Sequence, residues 1–496
     1  MNEPQLVRQA RLHGDTVALA GTSTELTYAQ LLQQSEAAAA HLLAGRADLA
    51  GARVALLLPP HVEFVIAQWA VWRAGGVCVP LSLHATSAEW EHVLSDAQVD
   101  LVLTSPALES RVQDLAARLG IDLGHTGSAQ GVLPDVAESR PATILYTSGT
   151  TSRPKGVVIT HANQHAQIRS LVEAWAWSST DRIPLFLPLH HIHGLVNVLA
   201  CALWSGARVE MLGEFDADRI LERVAADAYT VFMAVPTIYV KLAAKFETAP
   251  TEMATRWTKG FRALRLMVSG SAALPASLHQ HWEHLTGQRL LERYGMTEIG
   301  MALSNPLHGE RRPGAVGLPL PGVEVRLVDE DGAVLGGEDL PGEIQVRGAN
   351  VFRLYFGREA DTAASFDGDW FRTGDVAVLE RGYYRIMGRR SVDIIKSGGY
   401  KLSALEIEAA LLEHPAIAEC AVVGLPDDTW GEAVAAVVVP AKGRTVPALP
   451  ELRDWCRDRL SPYKLPRRLD VVDSLPRNAM GKVTKPAVIG QLSSKA

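Results

Sequence analysis

The sequence has 496 residues, a mass of 53.6 kDa and 47% hydrophobic residues. This length exceeds that of one ordinary domain, so two or three folded units are expected. With 48 basic and 55 acidic residues the formal net charge is −7, which gives no electrostatic reason to bind nucleic acid or an anionic membrane. Nucleic-acid and membrane partners are therefore disfavoured, and no coiled-coil repeat assigns an oligomeric state.

The N-terminal segment mixes acidic with basic residues and lacks the apolar stretch of a signal peptide. The most apolar windows, which begin at Val54 and Ala421, are much shorter than the roughly 20 residues that cross a bilayer. A cytoplasmic location is therefore expected. The cysteines are far apart and form neither CxxC nor Cys/His metal spacings, so they are predicted to be buried free thiols.

Apolar runs in the first part of the chain alternate between strand and helix lengths, which predicts an α/β fold with doubly wound, mostly parallel sheets. A helix is predicted over 61–74. The strands are predicted at 54–58, 77–81, 97–104, 142–147 and 230–235. No GxGxxG follows the first strand, and this argues against a dinucleotide-binding Rossmann domain.

From about residue 323 the pattern changes to short alternating runs separated by Asp-Gly and Gly turns, which are typical of β hairpins. We therefore predict a β-rich subdomain at about 323–388, at the end of a large N-terminal domain formed by residues 1–388. The polar segment 389–393 is the predicted hinge. The remaining residues, 394–496, have mixed α+β character and the length of a small C-terminal domain.

The most informative segment, 147–156, reads TSGTTSRPKG and follows an apolar strand that ends at Tyr146. Hydroxyl groups, backbone N–H groups beside glycine and an ammonium are the donors that a dense phosphate charge requires. The segment lacks the GxxxxGK[ST] spacing of a Walker loop. Its composition alone favours a solvated Ser/Thr-rich turn.

In its full context the segment resembles the phosphate-binding signature of the acyl-adenylate-forming (AMP-binding) enzymes, which include acyl-CoA synthetases, luciferases and peptide-synthetase adenylation domains. Four further motifs follow in the family's order: YGMTE at 294–298, FRTGD at 371–375, GR at 388–389 with GGYKLSALEIE, and RNAMGK at 477–482. In one departure, the sixth position of the loop is Ser152, where the family usually has glycine.

The resemblance implies two half-reactions: ATP converts a carboxylate into an acyl adenylate, and coenzyme A then takes the acyl group. It implies that Glu298 holds Mg²⁺, a hard cation that prefers oxygen ligands. Thr297 is expected to bind the α-phosphate, and Lys482 is expected to bridge this phosphate and the acid as charge develops. The residues implied to bind ATP or AMP are Thr147, Ser148, Gly149, Thr150, Thr151, Lys155, Tyr294, Gly295, Met296, Thr297, Asp375 and Arg389.

For the second half-reaction the resemblance implies a mobile C-terminal domain that rotates, so that Lys482 leaves the site and another face enters. Lys396 is the expected catalytic residue of that face. Gly398, Gly399 and Tyr400 are expected to bind coenzyme A, because glycine lets the pantetheine arm approach the backbone. Relatives often pivot on an Asp or Lys two residues after the arginine of the GR pair, where this sequence has Ser391.

The segments at 188–195, 235–237, 266–275 and 304–314 resemble the malonyl-CoA synthetase branch of the family. Malonate keeps a second ionised carboxylate, whose unpaired burial is costly, so an arginine clamp is expected. The resemblance assigns the clamp to Arg311, with Arg265 as a second contributor, although ERRPG read alone is a solvated loop. The remaining pocket residues are expected to be His193, Thr237 and Ser269.

The expected enzyme is thus an acid–thiol ligase that produces malonyl-CoA, AMP and pyrophosphate, and methylmalonate is a further candidate substrate. A short- or medium-chain fatty acyl-CoA synthetase is an alternative with an apolar pocket and no clamp. An adenylation protein that loads a carrier protein is another, although no carrier-like segment is recognised in the sequence. A non-catalytic nucleotide-binding protein is disfavoured, because it would not need Lys155, Glu298 and Lys482 together.

Overall fold

Parallel strands connected by helices build the first sheet of the N-terminal part, in a computed structural model that describes residues 3–21, 24–147, 154–477 and 483–493. The strands of this sheet, in spatial order, are Leu354–Tyr355, Lys155–Thr160, Pro141–Thr147, Val77–Pro80, Arg53–Leu57, Leu101–Thr104 and Asp122–Gly124. The four central pairings from Pro141–Thr147 to Asp122–Gly124 are parallel. The predicted doubly wound α/β class is confirmed.

Two further sheets lie side by side, joined where Thr230 N donates to Arg182 O at 2.9 Å. The first has the order Glu25–Thr27, Val17–Ala20, Arg208–Met211 and Arg182–Leu185. The other, called the second sheet below, has the order Val231–Ala234, Leu266–Ser269, Leu291–Met296, Gly300–Ser304 and Leu318–Pro319. In the second sheet the first three strands are parallel, so their carboxyl ends share one edge, the usual position for a ligand in such sheets.

The helices of the N-terminal part cover these sheets and contribute to a large common core. They are Gln5–Ala10, Tyr28–Leu43, Val62–Arg73, Ser87–Asp96, Pro106–Leu119, His161–Ala174, Cys201–Ser205, Ala217–Ala225, Pro236–Thr248, Thr251–Ala263, Ala276–Thr286 and Glu359–Ala364, with a 3₁₀ turn at Arg11–His13 and a π-helix at His193–Ala200. Large aromatic side chains such as Trp72, Trp175 and Trp282 are fully buried there. Their burial removes much apolar area from water and stabilises the common core.

An antiparallel sheet follows, called the antiparallel unit below. Its strands are Val323–Val328, Gly342–Gly348, Phe366–Asp367, Trp370–Glu380 and Tyr383–Arg389. The structure differs from the sequence pattern at the Asp-Gly turn around Gly332. The run that follows this turn forms only one isolated bridge, between Val328 and Val334, and Val323–Val328 pairs with Gly342–Gly348 instead. The alternation after the turn is short and most of its residues are exposed, so little burial stabilises a strand there.

The C-terminal part forms its own sheet, with the strands Tyr400–Ser403, Ile394–Ser397, Gly431–Pro440, Ile417–Asp427 and Arg468–Val471. Its helices are Ala404–Leu412, Leu449–Arg457 and Lys485–Ser493, with a 3₁₀ turn at Pro462–Lys464. The two faces of the sheet have separate apolar clusters, one containing Ile407 and Leu452 and the other containing Val488. The segment 394–403 is a hairpin, in which Ile394–Ser397 pairs with Tyr400–Ser403.

The cysteines Cys78, Cys201 and Cys456 are buried, Cys420 is half-buried, and none forms a disulfide. This confirms the expectation of free thiols. Among the residues that the structure describes, no helix is both long and apolar enough to cross a membrane.

Candidate active site

The turn Thr297-Glu298-Ile299 connects two strands of the second sheet at the edge where its parallel strands end. Glu298 is 5% exposed, and its Oε1 accepts a hydrogen bond from Tyr355 Oη at 3.0 Å. Its Oε2 is buried and has no hydrogen-bond partner among the described residues. Burial raises the pKa of Glu298, because the charged form loses its hydration. A cation beside this oxygen would stabilise the carboxylate.

Lys155 lies close to Glu298, with Tyr355 between them. The Lys155 ammonium is 5.1 Å from the centre of the Tyr355 ring and 2.9 Å from Asp361 Oδ2. Lys155 pairs with Thr147 at the ends of two antiparallel strands, so the connecting segment begins and ends at this point. The predicted phosphate-binding residues Ser148, Gly149, Thr150 and Thr151, together with Ser152, lie outside the described residues.

Asp375 joins three parts of the chain. Tyr294 Oη donates to its Oδ2 at 2.6 Å, and Arg389 Nε lies 3.0 Å from its Oδ1. Burial raises the pKa of Asp375, and the Arg389 guanidinium opposes this effect. The structure therefore brings together three residues that the sequence analysis assigned to nucleotide binding, and their binding role stays a prediction.

Gly295 and Met296 end the strand that carries Tyr294. A Cβ at Gly295 would lie 2.1 Å from Gly300 O, so only glycine allows the two strands to approach this closely. Met296 is half-buried beside it. These two residues therefore shape the backbone that leads into Thr297.

Arg293 occupies the strand position next to Tyr294 and is 4% exposed. Its guanidinium packs against Gly270, where a Cβ would lie 2.5 Å from Arg293 Cζ. The guanidinium donates to Ser271 Oγ at 3.3 Å, whereas Nε has no hydrogen-bond partner among the described residues. Burial lowers the pKa of Arg293 to about 10, so the group remains charged at neutral pH. It is a buried cation that forms no salt bridge within the described part of the chain.

His193 is the first residue of the π-helix His193–Ala200 and lies beside Arg293. It is 4% exposed. Burial, and to a smaller extent Arg293, lowers its pKa well below the ordinary value, so the ring is neutral at pH 7. Its Nδ1 is 3.1 Å from Ser271 Oγ. Ser271 Oγ can accept from Arg293 and also either donate to Nδ1 or accept from it, so both neutral tautomers of His193 fit this contact. The His193 Nε2 has no partner among the described residues.

Ser271, which contacts both His193 and Arg293, has a strained backbone conformation with φ of +69°. Non-glycine residues seldom adopt such values, and they concentrate at functional sites. Ser269, two residues earlier, ends its strand with a fully buried hydroxyl that has no partner among the described residues. The same is true of the Asn197 amide, about one turn after His193. Unpaired buried polar groups are costly, and their number at one place indicates a polar ligand.

Glu292 is the other charged residue of this strand. Its Oε1 accepts from Leu274 N at 3.3 Å, and its Oε2 has no partner among the described residues. Burial raises the pKa of Glu292 to about 8. Glu292 is therefore mainly neutral at pH 7 and does not compensate the charge of Arg293.

Comparison with known proteins agrees with this geometry. Residues 6–356 match the AMP-binding enzyme family, and residues 406–482 match the AMP-binding enzyme C-terminal domain. The first match alone covers more than half of the sequence. The chain belongs to the AMP-binding enzyme family.

Relatives similar to this AMP-binding enzyme include two mitochondrial malonate–CoA ligases. The protein from Bos taurus is 44% identical over 99% of this chain and 90% of its own length. The protein from Homo sapiens is 43% identical over 97% of this chain and 91% of its own length.

Two solved structures are also similar to this AMP-binding enzyme. ATP-bound MatB from Rhodopseudomonas palustris has a TM-score of 0.88 at 34% identity, covering 99% of both chains. A malonyl-CoA ligase ternary product complex with methylmalonyl-CoA and AMP has a TM-score of 0.67 at 40% identity, covering 94% of this chain and 97% of its own. The overall arrangement is thus closer to the ATP-bound structure, although that protein is less similar in sequence.

The prediction that Arg311 is the carboxylate clamp disagrees with the structure of this AMP-binding enzyme. The three guanidinium nitrogens of Arg311 donate to the backbone carbonyls of Pro306, Arg289 and Leu307, at 3.3, 2.6 and 2.9 Å. Arg289 precedes the strand Leu291–Met296, so these contacts lie at the edge of the sheet opposite to Thr297. The side chain therefore holds a loop there. Arg293, by contrast, lies on the strand that leads to Thr297, and the clamp role stays a prediction.

The structure places Arg265, the predicted second contributor to the clamp, at the same edge of the sheet as Arg311, opposite to Thr297. Arg265 precedes the strand that ends at Ser269, and its guanidinium binds both oxygens of Asp181 at 2.7 and 2.6 Å. It also donates to Trp175 O at 2.8 Å. The side chain of Asp181 is only 1% exposed, so Arg265 is a structural counterion.

Sequence reasoning missed Arg293, Tyr355, Ser271 and Asn197. A signal for Arg293 was present, because Glu292 and Arg293 interrupt an otherwise apolar strand directly before YGMTE. Adjacent charges in a buried strand require a partner or a ligand. Thr237, which was predicted in the pocket, follows the end of the strand Val231–Ala234 and is exposed.

The residues predicted for the second half-reaction lie on the C-terminal hairpin. Lys396 Nζ is 2.9 Å from Glu330 Oε1 in the N-terminal part. Gly398 and Gly399 have φ of +58° and +83°, values that suit glycine in a two-residue hairpin turn. The Tyr400 ring is 54% exposed. Lys482 lies outside the described residues.

We predict that Arg265→Met destabilises the protein without a specific effect on acid binding. Leaving Asp181 buried and unpaired should lower the free energy of unfolding by about 3 to 5 kcal/mol, measured by urea denaturation. The control Arg347→Met breaks an exposed ion pair with Glu324 and should destabilise the protein far less, because exposed ion pairs contribute little to stability. A raised KM for the acid with unchanged stability would instead support the predicted role of Arg265 in binding the acid.

We also predict that Glu292→Gln changes the pH dependence of stability. The folded-state pKa of about 8 exceeds the ordinary value of 4.5, so the folded wild type retains a proton that the unfolded chain releases. The wild type therefore loses stability as pH rises between these values. The stability of the variant relative to wild type should rise across this interval and level off above it, measured by denaturation at several pH values. An equal effect of Glu214→Gln, at an exposed carboxyl, would contradict the assignment.

Proposed function

We propose that this AMP-binding enzyme is a malonate–CoA ligase that uses ATP and coenzyme A and releases AMP and pyrophosphate. The observation that carries the proposal is the buried Arg293 guanidinium, which has no carboxylate partner among the described residues. Its position beside the strand end at Thr297 suits an acid whose far end is also ionised. The relatives named as malonate–CoA ligases, at 43 to 44% identity, support the same substrate.

The reaction proceeds in two balanced steps. A malonate carboxylate oxygen attacks the α-phosphorus of ATP, the bond to the β-phosphate oxygen breaks, and pyrophosphate leaves. The coenzyme A sulfur then attacks the acyl carbon, a C–S bond forms, the bond to AMP breaks, and the thiol proton is lost. A carboxylate resists direct attack by a thiol because it is anionic and has no good leaving group, so the first step supplies one.

Glu298 is the residue that we propose to hold Mg²⁺. Its buried Oε2 lacks a partner within the described residues, and a carboxylate oxygen suits this hard cation. Those residues contain no group of three or more His, Cys, Asp or Glu able to hold a metal, so phosphate oxygens and water would complete the coordination. When bound, the ion neutralises phosphate charge. Tyr355 keeps Glu298 oriented through its hydrogen bond at 3.0 Å.

The nucleotide is proposed to lie between two charged groups of the N-terminal part. Lys155 supplies an ammonium to the phosphates, and its ion pair with Asp361 must open or be shared as they bind. Asp375 accepts from the ribose hydroxyls, with its carboxylate fixed by Tyr294 and Arg389. Thr297 follows Tyr294 by three residues and is proposed to bind the α-phosphate, where Lys482 would also act.

The second carboxylate of malonate is proposed to bind Arg293 and His193. A buried guanidinium without a counterion loses hydration and gains no ion pair, so an anionic ligand recovers part of this cost. His193 is neutral and its buried Nε2 has no partner among the described residues, and the neutral form of Glu292 avoids repelling the ligand. Ser269 and Asn197 supply further buried polar atoms. An uncharged acyl chain would leave all of these groups unpaired.

Coenzyme A is proposed to approach the hairpin turn at Gly398 and Gly399 during the second step. Gly398 N donates to Trp430 O at 2.9 Å, and the Trp430 ring covers one face of Gly398. Tyr400 stacks on Tyr463, with ring centres 4.4 Å apart. Rotation of the C-terminal part would bring this face to the site, and Lys396 must then leave Glu330.

The cytoplasmic location of the protein stays a prediction.

The activity test is pyrophosphate release with ATP and Mg²⁺ over malonate, methylmalonate, succinate, acetate, butyrate and octanoate, each with and without coenzyme A. Malonate should exceed butyrate clearly, and continued turnover should depend on coenzyme A. Comparable activity with methylmalonate would fit the proposal, because one methyl group in a pocket changes selectivity by only about 1 to 3 kcal/mol. Preference for butyrate or octanoate would refute the malonate assignment.

We predict that Arg293→Met lowers kcat/KM for malonate by roughly 100- to 1,000-fold, because the far carboxylate loses its buried charge partner. The KM for ATP should change little, and relative activity with butyrate should increase. Steady-state kinetics with both acids measure the shift. The control Arg311→Met removes a guanidinium bonded to backbone carbonyls and should not alter the malonate-to-butyrate ratio. A shift in Arg311→Met but not in Arg293→Met would support the original clamp assignment.

A further inference from the structure

The segment that carries Lys482 is anchored by described residues on both sides. Arg477 and Val483 form an isolated antiparallel bridge, and Thr484 N donates to Pro476 O at 2.9 Å. The helix Lys485–Ser493 begins immediately afterwards. These contacts connect the residues that flank 478–482 to the start of the helix.

Lys485, the first residue of that helix, forms two ion pairs inside the C-terminal part. Its Nζ lies 2.5 Å from Asp393 Oδ1 and 2.7 Å from Glu408 Oε1. The Lys485 side chain is only 10% exposed, and the two carboxylates are 13% and 14% exposed. Burial alone would lower the pKa of Lys485, but the two carboxylates raise it. The ammonium is therefore charged and tied to both.

Asp393 links this ammonium to the predicted hinge. Its second oxygen, Oδ2, accepts from Arg389 N at 2.9 Å, and its own backbone N donates to Arg389 O at 2.8 Å. The preceding Gly388 has φ of +126°, and a Cβ there would lie 2.4 Å from Asp393 Cβ. The two ends of the segment 389–393 are thus closed tightly on each other.

The contacts continue from the hinge to the nucleotide site. The Arg389 side chain pairs with Asp375 at 3.0 Å, and Asp375 accepts from Tyr294. An unbroken series of polar contacts therefore runs from Lys485 through Asp393 and Arg389 to the proposed ribose site. The greater similarity to the ATP-bound structure than to the product complex, with TM-scores of 0.88 and 0.67, is consistent with an arrangement suited to the first step.

We propose that Lys485 is a positioning residue for adenylate formation: it ties the start of the last helix, three residues after Lys482 in the sequence, to the closed hinge through Asp393. This inference rests on the proposed function. Rotation of the C-terminal part for the second step requires the backbone of 389–393 to change, so the bond from Asp393 to Arg389 N is one that must open. The bonds from Lys485 to Asp393 and Glu408 lie within the rotating part and can persist.

The proposal predicts that Lys485→Met separates the two half-reactions. Adenylate formation, measured as malonate-dependent ATP–pyrophosphate exchange without coenzyme A, should fall roughly 10- to 100-fold, because small displacements of a catalytic group have effects of that size. The thioester step, measured in reverse as AMP-dependent release of coenzyme A thiol from malonyl-CoA in a single turnover, should stay within about 3-fold of wild type, because Lys482 has left the site in that step. Lys485→Arg, which keeps the charge, should restore most of the exchange.

Two further variants distinguish positioning from general damage. Asp393→Asn should reproduce the selective loss, and the double variant Asp393→Asn with Lys485→Met should be no worse than the stronger single one, since both remove the same contact. The control Arg459→Gln breaks an ion pair with Glu413 in the same domain and should leave the ratio of half-reactions unchanged. Equal losses in both half-reactions of Lys485→Met, no loss in either, or additive losses in the double variant would overturn the proposal.

The wild-type protein in the same assays tests the proposed function separately. Exchange with another acid of the panel but not with malonate would refute the malonate assignment. The ratio of half-reactions, measured with that acid and its coenzyme A thioester, would still decide the role of Lys485.

Discussion

The Asp375 carboxylate is the point on which the geometry of the candidate site depends. It lies on a strand of the antiparallel unit, accepts a hydrogen bond from Tyr294 of the second sheet, and pairs with Arg389 at the start of the hinge. Asp375 and Arg389 face each other on two strands of one sheet, and Tyr294 comes from another sheet, so two separately folded parts of the chain meet at this buried charge. Burial disfavours the ionised form, and the two donors offset this cost. A ligand that binds here contacts the structural junction of the molecule as well as its site.

The acid pocket has the opposite electrostatic character. Arg293 is enclosed, whereas its nearest carboxyl, Glu292, is held neutral by burial and the adjacent His193 is neutral as well. A buried ion pair within the protein would have satisfied Arg293 and closed the pocket. The large apolar core around residues such as Trp175 and Trp282 stabilises the fold instead. Under the proposed function, a charge without a counterion among the described residues favours a dianionic acid.

Much of the fold could be predicted from sequence, because apolar runs and turns report local backbone preferences. The strand at Val54, the strand that ends at Thr147 and the antiparallel strands after residue 323 follow this rule. The binding roles that the family motifs imply for Glu298 and Asp375 stay predictions. The clamp could not be assigned from local patterns. Arg311 and Arg293 both stand near motif residues in the chain, but only the strand topology reveals which end of the sheet each occupies. Burial and satisfaction of a guanidinium are tertiary properties.

The four cysteines also matter for an enzyme that handles a thiol. Three are buried and the fourth, Cys420, is half-buried, and burial raises the pKa of each thiol. Thiolates are the species that exchange with disulfides. The protein is thus poorly reactive toward oxidised coenzyme A, so mixed disulfides should not accumulate on it as the surrounding thiol pool becomes oxidised. Burial of its own thiols thus separates the protein's cysteines from the thiol chemistry of coenzyme A.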